Sequence, residues 1–244
     1  MKIAVIGSGI SGLSAAYFLS KKHKVDLFEK NDYFGGHSYT VEIPTNTDNE
    51  KGQISLDLGF IVFNKTNYPN LIDFFRNLKI LYEESNMSFS VSVKNSNIEY
   101  SGNGLAGLFS NKYNILNFRF LKMIKEIIFF YKESEKINEK TCADQTLGDF
   151  LKAKKMSNYF IHFHIIPMVA AIWSMPISLA QKMPLSLFLN FFKNHGLFKI
   201  KKRPQWYTVS GRSKTYVKKI LKNINGEYFK NYKIIKVLRN KNSV

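Results

Sequence analysis

Apolar positions early in the chain follow the periods of an alternating β/α unit. Lys2-Ile-Ala-Val-Ile6 is a continuous, β-branched run closed by Gly7, the pattern of a strand buried on both faces of a parallel sheet. From Ser11 to Lys21 the apolar residues Leu13, Ala16, Tyr17 and Leu19 recur at helical spacing, and a lysine pair closes the helix. Val25 to Glu29 predicts a second strand, Gly35-Gly36 a loop, and Tyr39 to Ile43 a further strand. Pro44 to Gly52 is polar and reads as a loop, whereas Ile54 to Phe63 is apolar and extended with an interruption at Gly59. Leu71, Ile72, Phe74, Phe75 and Leu78 give Tyr68 to Leu78 one apolar helical face.

The period then changes. Ser88 to Val93 and Ile98 to Tyr100 predict a hairpin around Lys94-Asn95-Ser96-Asn97. Helices follow at Asn117 to Lys136, Thr146 to Lys154, Ser157 to Trp173 and Pro184 to Asn194. From Gln205 the alternation returns: a strand at Trp206 to Val209, a helix at Ser213 to Lys222, and a strand at Tyr232 to Leu238. The expected organisation is an α/β domain with a parallel sheet, residues 1–85 and 204–244, interrupted by a mostly helical α+β insert, residues 86–203. No internal repeat or low-complexity linker is visible.

Composition narrows the function classes. The 244 residues are 45% hydrophobic, enough to bury a core in one or two domains. Aromatic residues make up 15%, which fits a ligand tunnel or a lipid-facing patch and equally fits a simple abundance of Phe and Tyr. Thirty-six basic against 18 acidic side chains give a net charge of +18, favouring anionic partners. No Cys/His finger and no Arg–aromatic interleaving accompany that charge, so no nucleic-acid partner is expected. Solvated lysine faces account for it, with peripheral attraction to an anionic membrane as the second reading. Cys142 is the only cysteine, which excludes an intramolecular disulfide, a dithiol redox centre and a multi-cysteine metal site. The reducing cytoplasm is the expected compartment. Glycines punctuate the apolar stretch from Ile3 to Leu19, so it is not read as a signal peptide.

The chemistry begins at Gly7-Ser8-Gly9-Ile10-Ser11-Gly12. This G-x-G-x-x-G turn follows an apolar strand and opens a helix whose free N–H groups suit a pyrophosphate. Glu29 stands 20 residues after Gly9, at the end of the second strand, where a carboxylate accepts hydrogen bonds from an adenosine ribose and repels the 2′-phosphate of NADP. Together these features define a Rossmann-like dinucleotide-binding unit.

Gly35-Gly36-His37 then offers a second close backbone approach. Here the sequence resembles the flavin-binding family of monoamine oxidases, protoporphyrinogen oxidase and phytoene desaturases, in which an acid at the second strand's end precedes a Gly-Gly pair. Asp57-Leu58-Gly59-Phe60-Ile61-Val62 looks like that family's stretch beside the flavin. Leu58–Asn64, Tyr68–Leu71, Met87–Phe89, Ala171–Ser174, Asn194–Leu197 and Arg203–Trp206 are similar to a bacterial subgroup of NAD/FAD-binding, amine-oxidase-like proteins. The resemblance implies FAD as cofactor, held by Gly7, Ser8, Gly9, Ile10, Ser11, Gly12, Glu29, Lys30, Gly36, His37, Gly59, Phe60 and Ile61. It implies dehydrogenation of a small apolar substrate, an amine or an acyl or isoprenoid chain, by hydride transfer to the flavin.

Two departures qualify it. His37 stands where many amine oxidases carry an arginine, and the chain ends at Val244, where family members continue to a second flavin-contacting motif. A fragment, a split half needing a complementary C-terminal segment, or a truncated product is therefore expected, and a non-catalytic chain is the rival reading. An NAD-dependent dehydrogenase is a third reading, against which Gly35-Gly36 speaks.

No side chain is assigned as catalytic. His162 and His164, at i, i+2 spacing, lie on different helix faces and are expected to pack rather than bind metal. His195 and Trp206 are readable either as flavin-facing or as a helix-ending turn and a core residue. The Lys199-x-Lys201-Lys202-Arg203 cluster is readable as a solvated face or a headgroup contact.

Overall fold

The computed structural model describes residues 1–47, 50–94, 96–142, 144–199 and 203–239. In chain order, β1 (Lys2–Ile6), α1 (Ile10–Leu19) and β2 (Lys24–Phe28) precede β3 (Thr40–Thr47), β4 (Glu50–Asp57) and β5 (Phe63–Asn64). Next come α2 (Pro69–Asn77), β6 (Tyr82–Ser85), β7 (Ser90–Ser92) and β8 (Glu99–Ser101). The helices α3 (Gly104–Leu108), α4 (Phe118–Lys136), α5 (Leu147–Ala153), α6 (Asn158–Phe160), α7 (Ile166–Trp173), α8 (Ile177–Ala180) and α9 (Leu185–Asn194) follow. The chain closes with β9 (Trp206–Val209), α10 (Ser213–Lys222) and β10 (Tyr228–Phe229). It divides into two units, Met1–Asn86 with the residues from Gln205 onward, and Met87–Pro204.

The first unit is a mixed α/β structure. Its parallel sheet has the order β1-β2-β10, with Lys2 opposite Lys24 and Tyr228 opposite Leu27. An antiparallel sheet, β5-β9-β6, and the two-stranded β3–β4 ribbon complete it. Leu13 and Ala16 of α1, Val25 and Leu27 of β2, Phe74 and Phe75 of α2 and Tyr216, Val217 and Ile220 of α10 form its core. The second unit is mostly helical around the β7–β8 hairpin. Phe120, Met123 and Phe130 of α4 pack there with Phe150, Phe160, Val169, Phe188 and Phe192.

Four expectations are corrected. β1 is not buried on both faces: Lys2, Ala4 and Ile6 are exposed on one face while Ile3 and Val5 are partly covered on the other, and among the described residues β1 pairs with β2 alone at the sheet's edge. Pro44 to Thr47 and Glu50 to Gly52 are ladder, not loop, with Pro44 opposite Gln53 and Thr47 opposite Glu50; residues 48 and 49 lie outside the described residues. Each strand of a two-stranded ribbon keeps one free edge, so proline's missing N–H is tolerated there. The final strand is Tyr228–Phe229 and not Tyr232–Leu238, since Gly226 lets the chain pass against the Val25 backbone and align with β2 there.

The helix expected from Ser157 to Trp173 is interrupted by a π-helical turn at Ile161–Ile165. Pro167 has no N–H to give the Phe163 carbonyl four residues earlier. That carbonyl instead accepts the Tyr100 hydroxyl at 2.7 Å.

Candidate functional site

The turn between β1 and α1 is closed by contacts between backbones. Gly7, at φ +90°, donates its N–H to the Phe28 carbonyl at 2.8 Å. A Cβ on Gly12 would stand 1.8 Å from the Gly7 carbonyl oxygen, so α1 packs on the strand end only without a side chain at this position. Gly9 caps α1 with no side-chain hydrogen bond, leaving the first-turn N–H groups and the positive end of the helix dipole available to an anion.

Glu29 is bound into this turn. Its Oε2 accepts the Ser8 N–H at 2.9 Å and the Ser8 hydroxyl at 2.6 Å, and its Oε1 accepts the Asn31 N–H at 2.9 Å. Burial opposes ionisation, but the Ser8 hydroxyl and the N–H groups of Asn31, Ser8 and Lys30 outweigh it and hold the carboxyl below the ordinary glutamate value. Both Ser8 and Glu29 are buried, and the carboxylate stays charged at neutral pH.

Two further segments join them. Gly35 donates its N–H to the Ser8 carbonyl at 3.1 Å, and a Cβ on Gly36 would lie 3.0 Å from the Gly9 Cα. The Phe60 N–H donates to the His37 carbonyl at 2.8 Å, and a Cβ on Gly59 would meet that oxygen at 2.2 Å. Asp57 then caps α10: its carboxylate accepts the Ser213 N–H and hydroxyl at 3.0 Å and the Thr40 hydroxyl at 2.6 Å. Tyr216 of α10 donates its hydroxyl to Ser38 at 2.5 Å.

These segments surround a cavity of about 770 Å³. Of the residues expected at a cofactor site, Gly7, Gly9, Ile10, Ser11, Gly12, Gly36, His37 and Phe60 line it. Ser8, Glu29 and Gly59 support that lining without being part of it, through the bonds just given. Lys30 is exposed and Ile61 is 51% exposed, and neither lines the cavity. Sequence reasoning missed Ser38, Tyr216 and the Asn67–Leu71 wall. The signal for that wall was Pro69, which starts α2 beside Tyr68. Asp57 and Ser213 are joined across 156 positions, which no local pattern reveals.

The remaining candidates sit elsewhere. His162 is exposed, whereas His164 is buried and in hydrogen-bond contact with two tyrosines. Tyr100 gives its proton to Phe163, so its oxygen accepts from His164 Nδ1 at 3.0 Å, while Nε2 accepts from the Tyr131 hydroxyl at 3.1 Å. Burial pushes the His164 imidazole down to about 3 and the Tyr131 phenol up to about 12. His195 ends α9 and stacks on Phe191, and Trp206 is buried in β9. Lys201 and Lys202 lie outside the described residues. Among the described residues no group of three or more His, Cys, Asp or Glu could hold a metal ion, and no helix is long and apolar enough to cross a membrane.

Residues 5–78 match the model of an NAD(P)-binding Rossmann-like domain. A 1-hydroxycarotenoid 3,4-desaturase of Flavobacterium sp. (strain P99-3) is 37% identical over 100 residues, 41% of this chain and 18% of that protein. A protoporphyrinogen oxidase of Schizosaccharomyces pombe is 39% identical over 62 residues, 24% of this chain and 12% of that protein. The structure of cyclohexylamine oxidase from Brevibacterium oxydans IH-35A superposes with a TM-score of 0.58 at 16% identity, covering 93% of this chain and 50% of the oxidase. The chain thus spans about half the length of that oxidase, and its aligned stretches are smaller shares of the two sequence relatives. The chain contains a Rossmann-like domain over residues 5–78 and shares its fold with part of that oxidase.

Proposed function

We propose that the cavity at the glycine turn holds FAD, and that the chain serves an oxidoreductase that dehydrogenates an apolar amine or a lipid-like acyl or isoprenoid substrate. The observation that carries this reading is the meeting of the Gly7–Gly12 turn, Gly35–His37 and Phe60 around one cavity, beside an uncapped helix N-terminus. Gly9 and Gly36 leave the cradle floor without side chains, and the α1 N–H groups would take the pyrophosphate. Glu29 would accept the adenosine ribose hydroxyls on oxygen lone pairs that Ser8 and Asn31 leave over, and its charge disfavours a 2′-phosphate. His37, exposed at the cavity, would stand beside the pyrophosphate, and Tyr216 and Phe60 would wall off water. A bound flavin supplies the hydride acceptor. The resemblance of the sequence to flavin-binding oxidases and the names of the relatives support this choice over NAD.

Titration of the purified chain with FAD, NAD and NADP tests it. FAD binds, NADP does not, and Gly9→Ala loses at least about tenfold in FAD affinity with an unchanged melting curve, because its added Cβ meets no atom within 4 Å yet intrudes on the cavity. Binding of NAD in preference to FAD would overturn the reading. A second reading is favoured by the edge that β1 leaves unpaired among the described residues and by the exposure of Ala4 and Ile6: the chain is a split half that retains FAD only with a complementary segment. In that case FAD binds weakly and is lost on gel filtration.

A further inference from the structure

The amino end of α4 carries a surface that the cavity does not use. Tyr113, Ile115, Leu116 and Phe118 are 74%, 53%, 83% and 86% exposed. The backbone beneath them is held in place. Asn114 is fully buried and donates its side-chain amide to the Glu99 carbonyl at 2.9 Å, and Asn117 accepts the Phe120 N–H at 3.2 Å to cap α4. The apolar side chains are therefore presented outward by a fixed loop, in a cluster denser than the single apolar residues scattered over ordinary surfaces.

Cations outnumber carboxylates around the loop. Lys112, Arg119, Lys122 and Lys125 are exposed, and no Asp or Glu occurs between Tyr100 and Lys125. A cleft of about 450 Å³ opens beside them, lined by Arg119, Lys122, Asn158, Tyr159 and His162 among others. Two carboxylates flank this surface: Glu99, exposed on β8, and Glu126, which is taken up by the Ser157 N–H at 3.0 Å and the Ser157 hydroxyl at 2.5 Å. A second copy of the chain on this surface would set the same cations against each other, whereas an anionic lipid surface complements both the cations and the apolar side chains.

We infer that this end of the helical unit docks on an anionic phospholipid bilayer, with Leu116 and Phe118 entering the acyl boundary and a lipid phosphate in the Arg119–Lys122 cleft. Vesicle flotation tests it with the full chain, using phosphatidylcholine alone and phosphatidylcholine mixed with phosphatidylglycerol. The chain floats with the mixed vesicles and only weakly with phosphatidylcholine. Leu116→Ser/Phe118→Ser lowers partitioning at least about tenfold, and Arg119→Ala/Lys122→Ala lowers it roughly 30-fold on mixed vesicles only, at about fivefold per cation. Lys230→Ala/Lys233→Ala, which removes the same charge from exposed positions in the other unit, leaves it within about twofold. Equal losses in the two charge variants, or no loss in the apolar variant, would overturn docking through this loop. Vesicle-free self-association abolished by Leu116→Ser/Phe118→Ser would overturn it as well.

Discussion

Replacing Glu29 by glutamine tests how the glycine turn is held. Besides the smaller contribution of the Lys30 N–H, the two carboxylate oxygens receive the Ser8 N–H at 2.9 Å and hydroxyl at 2.6 Å on Oε2, and the Asn31 N–H at 2.9 Å on Oε1. A glutamine amide must place its NH₂ at one of those positions. At the first it faces the Ser8 N–H, and at the second the Asn31 N–H. Either orientation sets donor against donor, and the second is cheaper because the Ser8 pair survives. One charge-assisted bond is lost and a part-buried N–H is left unpaired, which costs about 2 kcal/mol. Urea unfolding followed by Trp206 fluorescence in a Trp173→Phe background reads this unit, since Trp206 lies in it and Trp173 in the other. The difference from the parent depends on pH in a defined sense. The folded Glu29 value is depressed, so its contribution is present above the ordinary glutamate value and disappears as pH falls through the folded one. Parent and Glu29→Gln therefore converge in acid. Unfolding free energies within about 0.5 kcal/mol at pH 7, or a difference that persists in acid, would refute the role assigned to the carboxylate.

Gly12→Ala places a Cβ 1.8 Å from the Gly7 carbonyl oxygen, so the unit loses about 3 kcal/mol or more and its melting point drops, in contrast to Gly9→Ala. His164 gives the helical unit an acid-sensitive stability. Its folded value lies near 3 against an ordinary 6.5, so the contribution is complete above about 6.5 and declines as pH falls toward 3. Between pH 7 and pH 5 the unit loses about 2 kcal/mol, measured through Trp173 in a Trp206→Phe background; a flat profile, or an imidazole NMR titration near 6.5, would contradict the buried neutral ring.

The β1–α1–β2 unit was legible because its signals are local: an apolar run, a glycine spacing and an acid at the second strand's end. The resemblance names Gly7–Gly12, Gly36, His37 and Phe60 as cofactor residues; that Gly7, Gly9–Gly12, Gly35–His37 and Phe60 line one cavity follows from main-chain contacts between distant segments. What escaped depends on distant partners. β1 reads as a doubly covered strand, yet coverage is decided by its neighbours and not by its own residues. Pro44 looks like a loop residue until the free edge of its ribbon is known. The break after Phe160 requires both Pro167, which is visible in sequence, and Tyr100, whose position 63 residues before its acceptor is not. Asp57 reads as part of a flavin-side stretch, and its role as the cap of α10 emerges only in three dimensions.

The glycine contacts carry a genetic consequence. At Gly12, Gly59 and Gly35 the atom a side chain would strike is a carbonyl oxygen, of Gly7, His37 and Ser38 respectively. A carbonyl belongs to every amino acid alike. A crowded side chain in a core can be relieved by trimming its neighbour, but no substitution at Gly7, His37 or Ser38 removes the oxygen in the way. Suppressor screens of Gly12→Ala should thus return true revertants or globally stabilising changes, and none at the contact itself.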